Sequence, residues 1–142
     1  MIKKFFPEKY VDSVYAIDVE KLKKDKIEAV IFDIDNTLVP HGAPADERAR
    51  ALFERLHGLG LGTVLLSNNK EPRVKSFADD VGADYIFKAG KPKRKGYEKA
   101  MERMGTRPET TLFVGDQLFT DVWGAKRAGI YACLVKPIHP SE

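Results

Sequence analysis

From residue 29 onward, short apolar runs alternate with stretches in which apolar residues recur at helical spacing. The runs at 29–33, 63–67, 85–87, 111–115 and 131–135 have the length and β-branched or aromatic content of buried strands. Between them, Ala49, Leu52, Phe53 and Leu56, then Val74, Phe77, Ala78 and Val81, each follow the i, i+3, i+4, i+7 stripe of an amphipathic helix. Tyr97, Ala100, Met101 and Met104 form a third stripe ended by Gly105. A fourth, shorter helix is expected to open near Asp121 and close before Gly129. Strands alternating with helices imply βα units and a mainly parallel sheet, an α/β domain over residues 27–142. Residues 1–26 stand outside the alternation and read as an N-terminal arm. Within it Tyr10, Val11, Val14, Tyr15 and Ile17 are suited to the sheet's flank, and 21–26 looks like a solvated lead-in.

Composition narrows the class without naming a function. The 142 residues suffice for one core, and 43% apolar with 32% charged residues is a globular mixture. The net charge of +3 hides an asymmetry: 88–107 holds eight basic and two acidic residues. A lone cysteine, Cys133, excludes an internal disulfide framework and suits a reducing compartment. No apolar run approaches the ~20 residues of a membrane-spanning helix. The opening Met1-Ile-Lys-Lys-Phe-Phe-Pro imitates a signal peptide until Glu8 and Lys9 interrupt it. A cytoplasmic protein is expected, with contact to a membrane surface left open by the basic, aromatic start.

The candidate chemistry sits at the strand ends. Val30-Ile-Phe-Asp33-Ile-Asp35-Asn-Thr37 runs an apolar strand into two carboxylates and then a turn. Such ends form the ligand edge of open α/β sheets. Neighbouring carboxylates repel unless a cation or shared proton intervenes, which suits an oxygen-liganded divalent ion such as Mg²⁺. Gly115-Asp116, with Asp121 five residues later, repeats the pattern, while Ser67-Asn68 ends a third strand in a hydroxyl. Lys91-Pro92 follows the strand at 85–87 and offers a compact cation. A nucleophile, a metal site, oxygen donors and a proton donor are the parts that phosphoryl transfer needs.

With that order and spacing, Asp33-Ile-Asp35-Asn-Thr37, Ser67, Lys91 and Gly115-Asp116-xxxx-Asp121 resemble motifs I to IV of the haloacid dehalogenase (HAD) superfamily phosphatases. Asp-Asn-Thr-Leu-Val-Pro, Leu-Ser-Asn-Asn-Lys and Gly-Asp-Gln-Leu-Phe-Thr-Asp-Val are similar to the YqeG-like group of subfamily IIIA, related to the phosphatidylglycerophosphate phosphatases. The resemblance implies a three-layer Rossmann-like fold of five strands in the order 5-4-1-2-3. It implies Asp33 as nucleophile and Asp35 as general acid and base, with Thr37 and Asp121 in support. Asp33, the Asp35 carbonyl and Asp116 would hold Mg²⁺. Ser67 and Asn68 would bind phosphoryl oxygens, and Lys91 would neutralise nucleophile and phosphate. Lys88 and Lys93 lie close enough to compete for that part, and Pro92 favours Lys91. Asn36 stands where many relatives have glycine, as in this subgroup.

Other signals are weaker. Gly58-Leu-Gly60-Leu-Gly62 follows a helix and precedes a strand, the reverse of a dinucleotide fingerprint, and reads as a turn. His41, His57 and His139 lack metal-ligand spacing, and His41 reads better as a loop residue than as part of a site. No basic surface with interleaved aromatics suggests nucleic acid. The intervals from Asp33 to Ser67 and from Ser67 to Lys91 are each filled by one helix and one strand. No large cap domain fits, only a short flap at 39–45 stiffened by Pro40 and Pro44. An uncapped site suits a large or membrane-borne phosphate ester, with an anionic lipid or a protein partner covering it and Phe5, Phe6 and Tyr10 adding apolar contact. The alternatives are a phosphatase for a small soluble ester and, outside the enzymes, a phospho-acceptor signalling module. The latter places its acceptor mid-chain and lacks a second aspartate two residues on.

Overall fold

The computed structural model describes residues 9–138; Phe5, Phe6 and His139 lie outside them. The strands are β1 (Lys9–Val11), β2 (Ala29–Phe32), β3 (Gly62–Leu66), β4 (Asp84–Ile86), β5 (Thr111–Gly115) and β6 (Tyr131–Val135). The helices are α1 (Val19–Lys24), α2 (Glu47–Gly58), α3 (Glu71–Val81), α4 (Arg94–Met104) and α5 (Gly124–Arg127). All strand pairs are parallel, in the order β1-β6-β5-β2-β3-β4.

β2 to β6 reproduce the expected order, and the sixth strand is a correction. Lys9–Val11 pairs with Cys133–Val135 and covers an edge that β6 would otherwise present. Three residues alternate too briefly to be read as a strand from pattern alone. The arm then closes over the sheet, burying Val14, Val19 and Leu22 in its core. The supposed lead-in is helix α1, capped by Asp18, whose carboxylate accepts from the Lys21 N–H. Tyr10 remains 64% exposed.

β2 is buried at all four positions, as a central parallel strand must be with helices on both faces. Its alternation divides the core: Val30 and Phe32 join Phe53, Leu56, Val74 and Phe77 of α2 and α3. Ile31 joins Tyr97, Ala100 and Met101 of α4, with Phe113 and Ala125. Capping residues set the helix ends. Asp46 accepts from Ala49 N–H at the start of α2, while left-handed Gly82 and Gly105 end α3 and α4. The expected fourth helix begins earlier and differently. Leu118–Trp123 forms a wide π-helical turn that passes into the short α5. Among the described residues no helix is long and apolar enough to cross a membrane.

Candidate active site

Asp33, Asp35, Ser67, Asn68 and Lys91 meet at the C-terminal edge of the sheet, lining an open pocket of about 350 Å³ with Asn36, His41, Asn69, Gln117 and Thr120. Lys91 comes from the loop after β4, and its side chain is only 4% exposed. Its ammonium lies 2.9 Å from Asp33 Oδ1 and 2.7 Å from Asp121 Oδ1. Lys88 and Lys93 are exposed, so Lys91 is the lysine brought to these acids. Asn68 fixes its backbone: Asn68 Oδ1 accepts from Lys91 N–H at 2.8 Å, and Nδ2 donates to Lys91 carbonyl at 3.3 Å. The Asn68 side chain thus holds the lysine loop while lining the pocket.

Asp121 is buried between Lys91 and its own turn. Its Oδ2 accepts the Gln117 N–H at 3.0 Å. A side chain on Gly115 would collide with that carboxylate, so glycine at the end of β5 lets Asp121 tuck beneath the strand. Thr37 is fully buried and donates from Oγ1 to Asp116 Oδ1 at 3.2 Å. Asn36 adopts a left-handed φ of 64°, the turn conformation that glycine or asparagine accepts most readily. Ser67 is 3% exposed at the tip of β3, where its Oγ accepts from Asn69 N–H.

One side chain absent from the sequence reading completes this edge. Arg73, in the first turn of α3, places Nη2 2.8 Å from Asp35 Oδ1 and donates from Nη1 to the Ala43 carbonyl of the flap at 2.5 Å. Gly42 N–H donates to the same Asp35 oxygen at 2.7 Å. The flap is therefore tied to Asp35. The only hint in the chain was a cation one residue before the buried stripe that begins at Val74. His41 stands at the pocket mouth, exposed, with Nδ1 4.0 Å from Asp35.

A model of the haloacid dehalogenase-like hydrolases matches residues 42–129, well over half of the chain. The chain belongs to the haloacid dehalogenase-like hydrolases. It is 40% identical over 144 residues to the "Probable phosphatase YqeG" of Bacillus subtilis (strain 168), spanning all of this chain and 84% of that one. It is 25% identical to phosphatidylglycerophosphate phosphatase 1, chloroplastic/mitochondrial, of Arabidopsis thaliana, over 96% of this chain and 42% of the relative. The fold is similar to deoxy-D-mannose-octulosonate 8-phosphate phosphatase of Haemophilus influenzae (TM-score 0.58, 20% identity, 66% of this chain and 61% of that one). It also resembles 3-deoxy-D-manno-octulosonate 8-phosphate phosphatase of Moraxella catarrhalis, solved with magnesium and phosphate ions (TM-score 0.59, 13% identity, 82% of each chain). This HAD-like hydrolase is a phosphatase.

The electrostatics of the HAD-like site favour an added cation. Asp33, Asp116 and Asp121 each offer a carboxylate oxygen, all within 4.8 Å of one another. Burial, with Asp33 and Asp121 beside it, pushes the Asp116 carboxyl up to about 7 against the opposing Thr37 hydrogen bond. Burial and Asp33 raise Asp121 to about 6, opposed by Lys91. Lys91 itself is penalised by burial, but the two carboxylates more than compensate and hold its ammonium protonated. Both Asp121 oxygens accept hydrogen bonds, from Lys91 and the Gln117 N–H, and both Asp33 oxygens do so from Lys91 and Thr37. Crowded hard-oxygen donors that retain a proton near neutrality fit a hard divalent cation. Asp35 differs: burial pushes it up, but Gly42 N–H and the Arg73 guanidinium outweigh that and hold it below the usual carboxylate range.

Proposed function

We propose that this phosphatase is a Mg²⁺-dependent phosphomonoesterase acting through an aspartyl-phosphate at Asp33, on a lipid phosphate ester such as phosphatidylglycerophosphate. The observation that carries the mechanism is the buried lysine between Asp33 and Asp121, at the edge where Asp116 and Ser67 also end their strands. Asp33, the Asp35 carbonyl and Asp116 are the ligands proposed for the ion. When bound, the ion supplies positive charge against the phosphoryl oxygens and relieves the repulsion among the acids.

Asp33 attacks phosphorus, forming an Asp33 Oδ–P bond as the ester P–O bond breaks. Lys91 and the Ser67 hydroxyl face the equatorial oxygens, whose charge grows in the transition state. Asp35 delivers a proton to the departing alkoxide, then takes one from the water that attacks the phosphorus and releases inorganic phosphate. At rest Arg73 and Gly42 favour the ionised, base form of Asp35. A dianionic phosphoryl group arriving beside it opposes Arg73 and promotes proton uptake for the first step.

The lipid reading is supported by the pocket and by a relative. The pocket is open, the flap is short, and no second domain encloses a small leaving group among the described residues. Water exclusion then falls to whatever carries the ester. The Arabidopsis thaliana relative is named for phosphatidylglycerophosphate. The test is phosphate release with Mg²⁺ from phosphatidylglycerophosphate in mixed micelles, beside soluble sugar and nucleotide phosphates. Expected is faster turnover of the lipid, lost in Asp33→Asn while the variant keeps the parent's circular dichroism spectrum. Preference for a soluble ester rejects the lipid assignment, and turnover by Asp33→Asn rejects the covalent step.

A further inference from the structure

The π-helical turn after β5 does two things at once. Gln117 and Thr120 line the phosphatase pocket, while Leu118 and Phe119 between them point outward, 46% and 58% exposed. The turn is anchored from beneath: Asp121 and Val122 are fully buried, and the Tyr97 hydroxyl donates to the Thr120 carbonyl at 2.5 Å. A side chain on Gly124 would strike that tyrosine, so the segment sits tightly on α4. Two large apolar side chains therefore protrude from a fixed base at the mouth of the site.

Beside them the surface is aromatic and cationic. Phe119 and Trp123 have ring centroids 4.8 Å apart, and the Arg127 guanidinium lies 5.0 Å over the Trp123 ring. A groove of about 740 Å³ is lined by Arg94, Trp123, Lys126 and Arg127. From Gln117 to Tyr131 the single acid is Asp121, which is buried against Lys91. Protruding leucine and phenylalanine, an aromatic pair and flanking arginines and lysine match the layered chemistry of an anionic bilayer surface, with apolar tails below charged headgroups.

The geometry points to Leu118–Trp123, with Arg94, Lys126 and Arg127, as a docking surface for an anionic membrane. This rests on the phosphomonoesterase reading and deepens it: docking would bring the pocket rim to headgroup level, where a phosphate ester of a lipid stands. A protein surface would have to offer acids and an apolar recess together, whereas an anionic bilayer offers both everywhere.

Trp123 is the chain's single tryptophan, so its fluorescence reports the surface directly. The full chain is mixed with vesicles of phosphatidylcholine alone or with phosphatidylglycerol, without substrate, and binding is read by emission shift and by co-sedimentation. Expected are a blue shift and co-sedimentation with the anionic vesicles, both reversed by salt. Leu118→Ser/Phe119→Ser should weaken co-sedimentation at least about tenfold. Arg94→Ala/Arg127→Ala should weaken it about fivefold per charge. Both variants should hydrolyse a soluble ester such as p-nitrophenyl phosphate like the parent. Equal binding to both vesicle types, or variants that sediment like the parent, overturns the proposal. So does a protein that hydrolyses the soluble ester but binds neither vesicle, which reassigns the rim to a protein partner. Concentration-dependent dimerisation abolished by Leu118→Ser/Phe119→Ser would instead assign it to a second copy. Loss of hydrolysis on every ester, with vesicle binding retained, rejects the phosphatase mechanism and leaves the docking surface standing.

Discussion

Replacing Lys91 by methionine keeps the length of the side chain and removes the cation that joins Asp33 to Asp121. The ammonium is 4% exposed and Asp121 1%, so neither charge can turn to water when its partner is lost. Removing one partner of a buried pair costs about 3–5 kcal/mol, because the other is left as an uncompensated buried charge. At about 2–4 °C per kcal/mol for a chain near this size, the metal-free protein should melt roughly 10 °C lower. The penalty should also depend on pH, and its sign is fixed. Asp116 and Asp121 have folded-state values raised to about 7 and about 6, above those of an unfolded chain. The fold therefore holds protons that the unfolded chain gives up, and the stability tied to them is present below about pH 4 and lost as pH rises through about 6–7. Without Lys91 the acids repel most when ionised, so Lys91→Met should cost more at about pH 8 than at about pH 5. Thermal melts with chelator at both values measure it. A melting point lowered by less than about 3 °C, or lowered equally at both pH values, would refute this account of the site's stability.

Mg²⁺ binding should expel protons near pH 6.5, where Asp116 is still largely protonated, and expel almost none by about pH 8.5. Calorimetry in buffers of different ionisation heat reads this, and affinity independent of pH across that range contradicts it. Gly115→Ala should cost about 1–3 kcal/mol in urea unfolding by driving a methyl group into Asp121, and should slow turnover more than the lost stability explains. An unchanged urea midpoint would mean the strand end has room to spare. Arg73→Gln should loosen the flap, with faster amide exchange at Gly42 and Ala43 and reduced turnover. Identical exchange rates would show that Arg73 does not hold the flap.

Much of the edge chemistry could be read from the chain because it repeats one local grammar: an apolar strand, then a polar residue where the strand stops. Asp33, Ser67 and Asp116 all follow it, and the strand order followed from the motifs those ends carry. What escaped depends on contacts between distant segments. β1 has three residues and exists by virtue of the edge that β6 offers. α1 looked like a solvated stretch because only Val19 and Leu22 of its six residues are buried. The π-helical turn is set by Gly115, Asp121 and the Tyr97 hydroxyl together, and helical periodicity does not encode it. Arg73 has the appearance of an ordinary surface cation until α3 docks and brings it to Asp35.

Candidate site residues drawn from the ends of separate parallel strands have a consequence for how the chain comes to work. Lys91 meets Asp33 across 58 positions, and Thr37 meets Asp116 across 79. Every connection in the sheet is a crossover, so none of these encounters can form locally, and loop closure must come before any of them. A nascent chain that has made β2 and α2 carries Asp33 and Asp35 but neither Lys91 nor Asp116. Activity should therefore emerge late and abruptly during refolding, after helix content has largely recovered. No partially folded form would be expected to hydrolyse phosphate esters, which keeps a reactive carboxylate silent until the sheet is closed.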